Sequence, residues 1–412
     1  MNDIYCSRFL QSCFDYNVIN PENGHKKPKM TLLLGARQTG KSTLLNHLIS
    51  HPEKTFCINL QNRRLRRRYE SDTGLLIREL KAAGEIETVF IDEIQKVPGL
   101  LDDVQFLYDS APYRYRFFLT GSSARKLKHK SSNLMPGRVH TVRISPVIQA
   151  EQRACEIIPL EMPEGIKFPE RDLNDCLIFG SLPGLYQEEV SSWTETLTSY
   201  VDLYIENEIR QENIVDDMGA FSRFLRLAAL ESGQHVNFSK MAVAVGVAPN
   251  TLRNFFQVLE DTYVGIRIPA FGRSRKRIVK APRFIIFDLG VRHILSELPL
   301  NDSLLKMDSG HIFEQWVLTE LFFRCQYMGR GYKLSTWHTA TGAKVDAIVE
   351  TPQEIIPVEI KWTDSPRPRD ALHVEKFISL HSDFCSRGYV VCRCERRQQL
   401  TDNVAAIPWN EF

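Results

Sequence analysis

The chain has 412 residues, 43% hydrophobic and 25% charged, with a formal net charge of +2. That length accommodates two or three domains, and that composition fits a soluble globular protein. No stretch offers the roughly 18 uninterrupted apolar residues of a membrane helix, and MNDIYCSRFLQSCFDYN lacks the basic and apolar regions of a signal peptide, so no membrane association is expected.

The first third alternates short apolar runs with helix-length segments: MTLLLG at 30–35, TFCINL at 55–60, TVFIDEI at 88–94, RFFLTGS at 116–122 and VHTVRIS at 139–145. Short buried runs spaced in this way predict an α/β fold, a parallel sheet with crossover helices. Between the first two runs lies GARQTGKS, which fits G-x-x-x-x-G-K-[ST] after a strand and before the helix-like TLLNHLI. Gly35, Ala36, Arg37, Gln38, Thr39, Gly40, Lys41, Ser42 and Thr43 are therefore the expected nucleotide-binding residues. The glycines let backbone amides close on phosphates, Lys41 reaches the β and γ phosphates, and Ser42 holds Mg²⁺. A nucleoside triphosphate with Mg²⁺ is the expected ligand.

Asp92 ends the apolar run VFID, where a carboxylate is costly to bury unless paired or beside a metal, so it is the second expected Mg²⁺ contact. Glu93 is the expected general base for the attacking water. TFCINL is read as an extra strand between these two motifs. Thr120, Ser122 or Ser123 could sense the γ-phosphate, and Arg138 could supply positive charge to the transition state, in cis or from a neighbouring subunit of a homo-oligomer.

With GARQTGKSTLL, FIDEIQKVPGLLDDVQFLYD, FFLTGSSARKL and the GR pair at 137–138 in view, the chain resembles AAA+-related ATPases. More narrowly it resembles the bacterial and archaeal family of such ATPases with a C-terminal region of uncharacterised function. The later GHIFEQWV and TGAKVDAIVE…PVEIKW extend that resemblance over nearly the whole chain. The family usually carries acids after the second strand. Here the run is NRRLRRRYESD, with Arg63, Arg64, Arg66, Arg67 and Arg68, which reads as a solvated basic helix face or a phosphate-binding patch.

Residues 151–172 are rich in Pro and Glu and suggest a boundary, giving expected domains at 1–155, 156–300 and 301–412. In the middle one, FSKMAVAVGVAPNTLRNFFQVLEDTYVGIRI reads as a helix-turn-helix with Gly246 at the turn and Leu252, Phe255, Phe256 and Leu259 as the apolar face of its second helix. A winged helix is expected, its wing carrying Arg273, Arg275, Lys276, Arg277, Lys280 and Arg283 for phosphate contacts, or simply packing between its neighbours.

The last third begins with the helix-like HIFEQWVLTELFFRC and turns β-rich. Asp346 follows a turn-like TGAK, and Glu359 and Lys361 have the two-residue spacing that shares one sheet face. Glu314 lies in the preceding helix. Together these resemble the PD-(D/E)xK nuclease core, with Val345 in place of the motif's proline. The resemblance implies an α/β restriction-endonuclease-like domain in which the acids coordinate Mg²⁺ or Mn²⁺ and Lys361 positions a water or stabilises developing charge. Nine cysteines without secretory features predict reduced thiols and a cytoplasmic protein. Cys385, Cys392 and Cys394 lack paired zinc spacing and are read as buried thiols.

The expected function is thus ATP hydrolysis coupled to nucleic-acid handling, with phosphodiester cleavage by the C-terminal domain. The alternative is an ATP-dependent DNA- or protein-binding switch whose nuclease-like domain is catalytically silent.

Overall fold

In a computed structural model of the chain, the residues described are 5–11, 29–49, 51–111, 114–124, 137–202, 217–272, 281–339 and 342–412. They form two compact units. The first comprises residues up to Ser145 with the short pieces Met162–Ile166 and Asp261–Tyr263; the second holds the remainder.

The first unit is built on five strands: β1 (Met30–Leu34), β2 (Thr55–Asn59), β3 (Thr88–Asp92), β4 (Arg116–Gly121) and β5 (Val139–Arg143). All pair in parallel, in the order β2-β3-β4-β1-β5. β1 and β3 are buried at every position, which is why they read as continuous apolar runs rather than alternating ones. The strand that separates β1 from β3 is β4; TFCINL forms the edge strand β2, so it lies between the two motifs in sequence but not in the sheet. Connecting helices are α1 (Lys41–Leu48), α2 (Arg63–Ser71), α3 (Leu75–Ala82) and α4 (Leu100–Ser110). Leu76 and Leu80 of α3 and Leu100, Val104 and Leu107 of α4 close over Ile58, Val89, Ile91 and Leu119 to form the core.

The second unit begins with α5 (Leu173–Phe179) and α6 (Trp193–Tyr200), followed by α7 (Met218–Leu230), α8 (Phe238–Val245) and α9 (Pro249–Asp261). Gly246 takes φ 79° to end α8, and Leu252, Phe255, Phe256 and Leu259 are buried on one side of α9. Phe256 meets Phe224, Phe238 and Phe284 edge-on, so the helix pair and the following ribbon share one aromatic core. That ribbon is β6 (Gly265–Ile268) paired antiparallel with β7 (Arg283–Ile286). Residues 273–280, with five of the six expected wing cations, lie outside the described residues.

Next come α10 (Leu289–Leu295) and α11 (Asp302–Met328), the latter broken at Asp308. A six-stranded sheet follows: β8 (Lys333–His338), β9 (Lys344–Glu350), β10 (Ile355–Ile360), β11 (Gly388–Cys392), β12 (Gln398–Gln399) and β13 (Val404–Pro408). Its order is β12-β13-β11-β10-β9-β8. Strands β8 to β10 form an antiparallel meander, while β11 joins β10 in parallel after the crossover helix α12 (Leu372–Leu380). The chain leaving β6 pairs with β8, Phe271 N donating to Thr336 O at 2.6 Å and Thr336 N to Pro269 O at 2.9 Å. The middle helices and this sheet therefore belong to one unit. The eight described cysteines are free thiols, Cys385, Cys392 and Cys394 among the buried ones. Among the described residues, no helix is long and apolar enough to cross a membrane.

A buried carboxylate pins the second unit. Both oxygens of Glu320, on α11, accept from Gln149 N at 2.9 Å, and Arg324 lies one turn on at 3.4 Å. Burial pushes the Glu320 carboxyl up to about 7, against the opposing pull of Arg324 and the Gln149 amide. A carboxyl raised on folding contributes stability that is fully present below its unfolded pKa, near 4.5, and is lost as pH rises through about 7. His293, buried and held well below its usual range by desolvation, works in the opposite direction on acidification. The comparison with Glu320→Gln isolates the first effect: the melting temperature of the native protein should fall between pH 5 and 7.5 more steeply than that of the variant. Parallel curves would remove Glu320 as the titrating group.

Candidate nucleotide site and acidic cluster

The loop after β1 is shaped by its own backbone. Gly35 lies at φ 157°, and a Cβ there would sit 2.6 Å from Ile144 O. Gly40, at φ 88°, turns the chain into α1. Thr39 Oγ1 donates to Ala36 O at 2.8 Å, and Lys41 Nζ donates to Gly35 O at 2.9 Å and Ala36 O at 2.7 Å. Arg8, 3% exposed, reaches the same loop, donating to Thr39 O at 3.3 Å and Ser145 O at 2.8 Å. Nothing in the sequence around Arg8 signals this role. Only the packing of residues 5–11 against the loop reveals it. Arg37 is half-buried, whereas Gln38 and Thr43 are exposed beside the loop.

The ends of β3 and β4 face that loop through hydrogen bonds. Ser42 Oγ donates to Asp92 Oδ1 at 2.9 Å, and Thr120 Oγ1 donates to the same oxygen at 2.5 Å. Glu93 N donates in turn to Thr120 Oγ1 at 2.9 Å. Glu93 takes φ 60°, an uncommon conformation for a non-glycine residue and one associated with functional positions. Its Oε2 accepts from Ser122 Oγ at 3.1 Å and from Gln95 Nε2, and Gln95 also donates to Ser122 Oγ at 2.9 Å. Thr120 is thus committed to the Asp92 carboxylate and the Glu93 backbone amide, while among the described residues the buried Ser123 hydroxyl has no hydrogen-bond partner. Gln95 is a second site residue that the sequence reading passed over. Its signal was its place in DEIQ, two residues after the acid pair.

Arg138 is elsewhere. It immediately precedes β5, its carbonyl accepts from Met30 N at 2.9 Å, and its Nε donates to Asp109 Oδ1 at 2.9 Å. That is the opposite end of the parallel strands from the loop after Leu34, so a role at the phosphates of its own chain does not fit.

The second cluster gathers around Asp346 on β9. Asp346 Oδ2 accepts from Ile360 N at 3.1 Å, which fixes the carboxylate against β10. Lys361 Nζ donates to Glu359 Oε1 at 2.7 Å, while among the described residues the buried Glu359 Oε2 has no hydrogen-bond partner. Burial pushes the Glu359 carboxyl up to about 7, helped by Asp346 and opposed by Lys361. Burial also raises Glu314, again helped by Asp346 and opposed by Arg283. Arg283 corrects the sequence reading. It is 7% exposed rather than on a wing surface, donating through one terminal nitrogen to Glu314 Oε1 and placing the other 3.7 Å from Asp346 Oδ1. Lys344 adds a further cation, 3.4 Å from Asp346 Oδ1. Among the described residues, no three His, Cys, Asp or Glu side chains converge to hold a metal ion. As arranged, these acids do not fit one, because Arg283 stands between Glu314 and Asp346.

Residues 27–152, with the loop, the strand-end acids and the β4 hydroxyls, match the family model described as an AAA domain. The AAA domain points to nucleotide binding and ATPase activity. Residues 170–302 and 309–412 match two models, each described as a domain of unknown function (DUF8612 and DUF4143). The chain is 26% identical to an uncharacterised protein of Mycobacterium tuberculosis, over 94% of this chain and 81% of that one. A counterpart in Mycobacterium bovis matches to the same extent. An uncharacterised protein of Methanocaldococcus jannaschii is 23% identical, over 97% of this chain and 88% of its own. The crystal structure of protein VC1899 from Vibrio cholerae aligns over 92% of this chain at 12% identity with a TM-score of 0.18, too low to carry a shared fold.

Proposed function

We propose that the protein is an ATP-hydrolysing switch that handles nucleic acid, with a nuclease-like C-terminal domain that is silent in the arrangement described. The observation that carries the first part is the linked set Ser42–Asp92–Thr120–Glu93, which joins the phosphate loop to both strand-end acids. Mg²⁺ fits beside the Ser42 hydroxyl and the Asp92 carboxylate, both oxygen donors, and when bound would neutralise charge on the β and γ phosphates. Lys41 binds those phosphates with the backbone amides of residues 36–43. Glu93 accepts a proton from the water that attacks the γ-phosphorus, and ADP leaves. Ser122 and Gln95 orient the carboxylate that does so.

The nucleic-acid part is supported by α2. Arg63, Arg64 and Arg67 are exposed along one surface with Arg68 and Ser71, and among the described residues only Arg68 has an acidic partner there, Glu79. No acid occupies the first turn of α2, so two arginines oppose the positive helix end, a placement that an anionic ligand would relieve. The silent C-terminal domain is the reading that Arg283 favours. Metal-dependent cleavage is the second reading, favoured by the Glu359–Lys361 pair and by the αβββαβ order of α11 to β11, which is that of the nuclease core it resembles.

Filter retention of linear, circular and single-stranded DNA and of RNA, with and without ATP and Mg²⁺, tests the proposal. Retention should respond to ATP in the native protein but not in Lys41→Ala. Replacing Arg63, Arg64 and Arg67 together by alanine should reduce the slope of log affinity against log salt by roughly 2–3. An unchanged slope would remove α2 as the contact, and retention indifferent to ATP would remove the switch. Cleavage that is lost in Asp346→Ala would establish the second reading instead.

A further inference from the structure

We propose that Arg283 is the resident cation of the C-terminal acidic cluster and decides whether that cluster takes a divalent metal ion. This rests on the nuclease-like reading of α11 to β11. Three carboxylates, Glu314, Asp346 and Glu359, face three cations, Arg283, Lys344 and Lys361, so the cluster is balanced without any ion. A divalent ion added to a balanced, largely buried cluster would meet net repulsion and a desolvation cost. With the guanidinium withdrawn, one more negative charge is exposed to the ion, and Glu314 and Asp346 lose the group that now claims an oxygen of each.

Glu359 Oε2, on a side chain 1% exposed, has no hydrogen-bond partner among the described residues, so the cluster holds a buried acceptor that its resident cations leave unsatisfied. Asp346 is fixed by the Ile360 amide, and Arg283 is set against it by the pairing of β7 with β6 and with His235. A metal ion therefore competes with an arginine already in place.

The test is Mn²⁺ binding by the full chain without nucleotide, read by the loss of free-ion electron paramagnetic resonance signal. Arg283→Gln keeps a hydrogen-bond donor and removes the charge. It should bind one more Mn²⁺ per chain than the native protein, or bind it about tenfold or more tightly. The gain should vanish in the double variant Arg283→Gln/Asp346→Asn. Thermal melting gives an independent reading if the single variant is poorly stable: Mn²⁺ should raise its melting temperature and leave that of the native protein in place. Equal Mn²⁺ binding by native protein and variant would overturn the proposal, as would no binding by either, or a gain that survives the Asp346 substitution. ATP turnover and DNA retention of the native protein, which judge the proposed function, do not enter the metal count, so the two failures are distinguishable.

Discussion

Glu93→Gln should lower ATP turnover at saturating ATP by about two to four orders of magnitude while nucleotide affinity stays within a few-fold. The side chains are nearly the same size, and the amide can still receive the Ser122 hydrogen bond that the carboxylate now accepts at 3.1 Å. What is lost is the capacity to take a proton. Because Lys41, Ser42 and the loop amides are untouched, binding persists. Rates measured with a coupled assay and affinities measured with a fluorescent nucleotide separate the two quantities. Turnover equal to that of the native protein would remove Glu93 as the base and leave the AAA domain as a nucleotide-binding scaffold.

Arg324→Ala should destabilise the second unit by about 3–5 kcal/mol, the range found when one partner of a buried charged pair is removed. Arg324 is fully buried, donates to Ile157 O at 3.0 Å and Phe412 O at 2.7 Å, and stacks 4.6 Å over the Phe412 ring. Its removal orphans two carbonyls and leaves Glu320 with the Gln149 amide as its remaining bond. The measurement belongs at pH 8, where the Glu320 carboxyl is ionised and the missing countercharge is felt most. A shift of the urea midpoint without a change in slope would show the expected loss. A loss under about 1 kcal/mol would mean that the neighbouring backbone finds other donors.

The shape of the loop after β1 was legible because its signal is contiguous: eight successive residues between a strand and a helix. The placement of the acid pair was legible for a related reason, since it closes an uninterrupted apolar run that forms β3. Sheet order was not legible. β4 enters between β1 and β3 through pairing partners far away in the chain, and no local pattern in TFCINL distinguishes an edge strand from a central one. For Arg138 the same limit applies to the reading in cis, because a Gly-Arg pair carries no information about which end of the sheet it occupies. Arg283 was the most instructive. In sequence it closes a basic run and reads as one more surface cation. Its burial follows from the β6–β7 register, and its partners are Glu314, in a helix 31 positions on, and Asp346, on β9.

Lys41 gives its ammonium to Gly35 O and Ala36 O. Any phosphate that takes it must outbid two carbonyls already aligned with it, so nucleotide entry is a substitution at nitrogen rather than an addition to a waiting charge. The measured affinity will then report a difference between two acceptor sets. A substitution that only reshapes the loop backbone, without touching the lysine, will change affinity by altering the competitor.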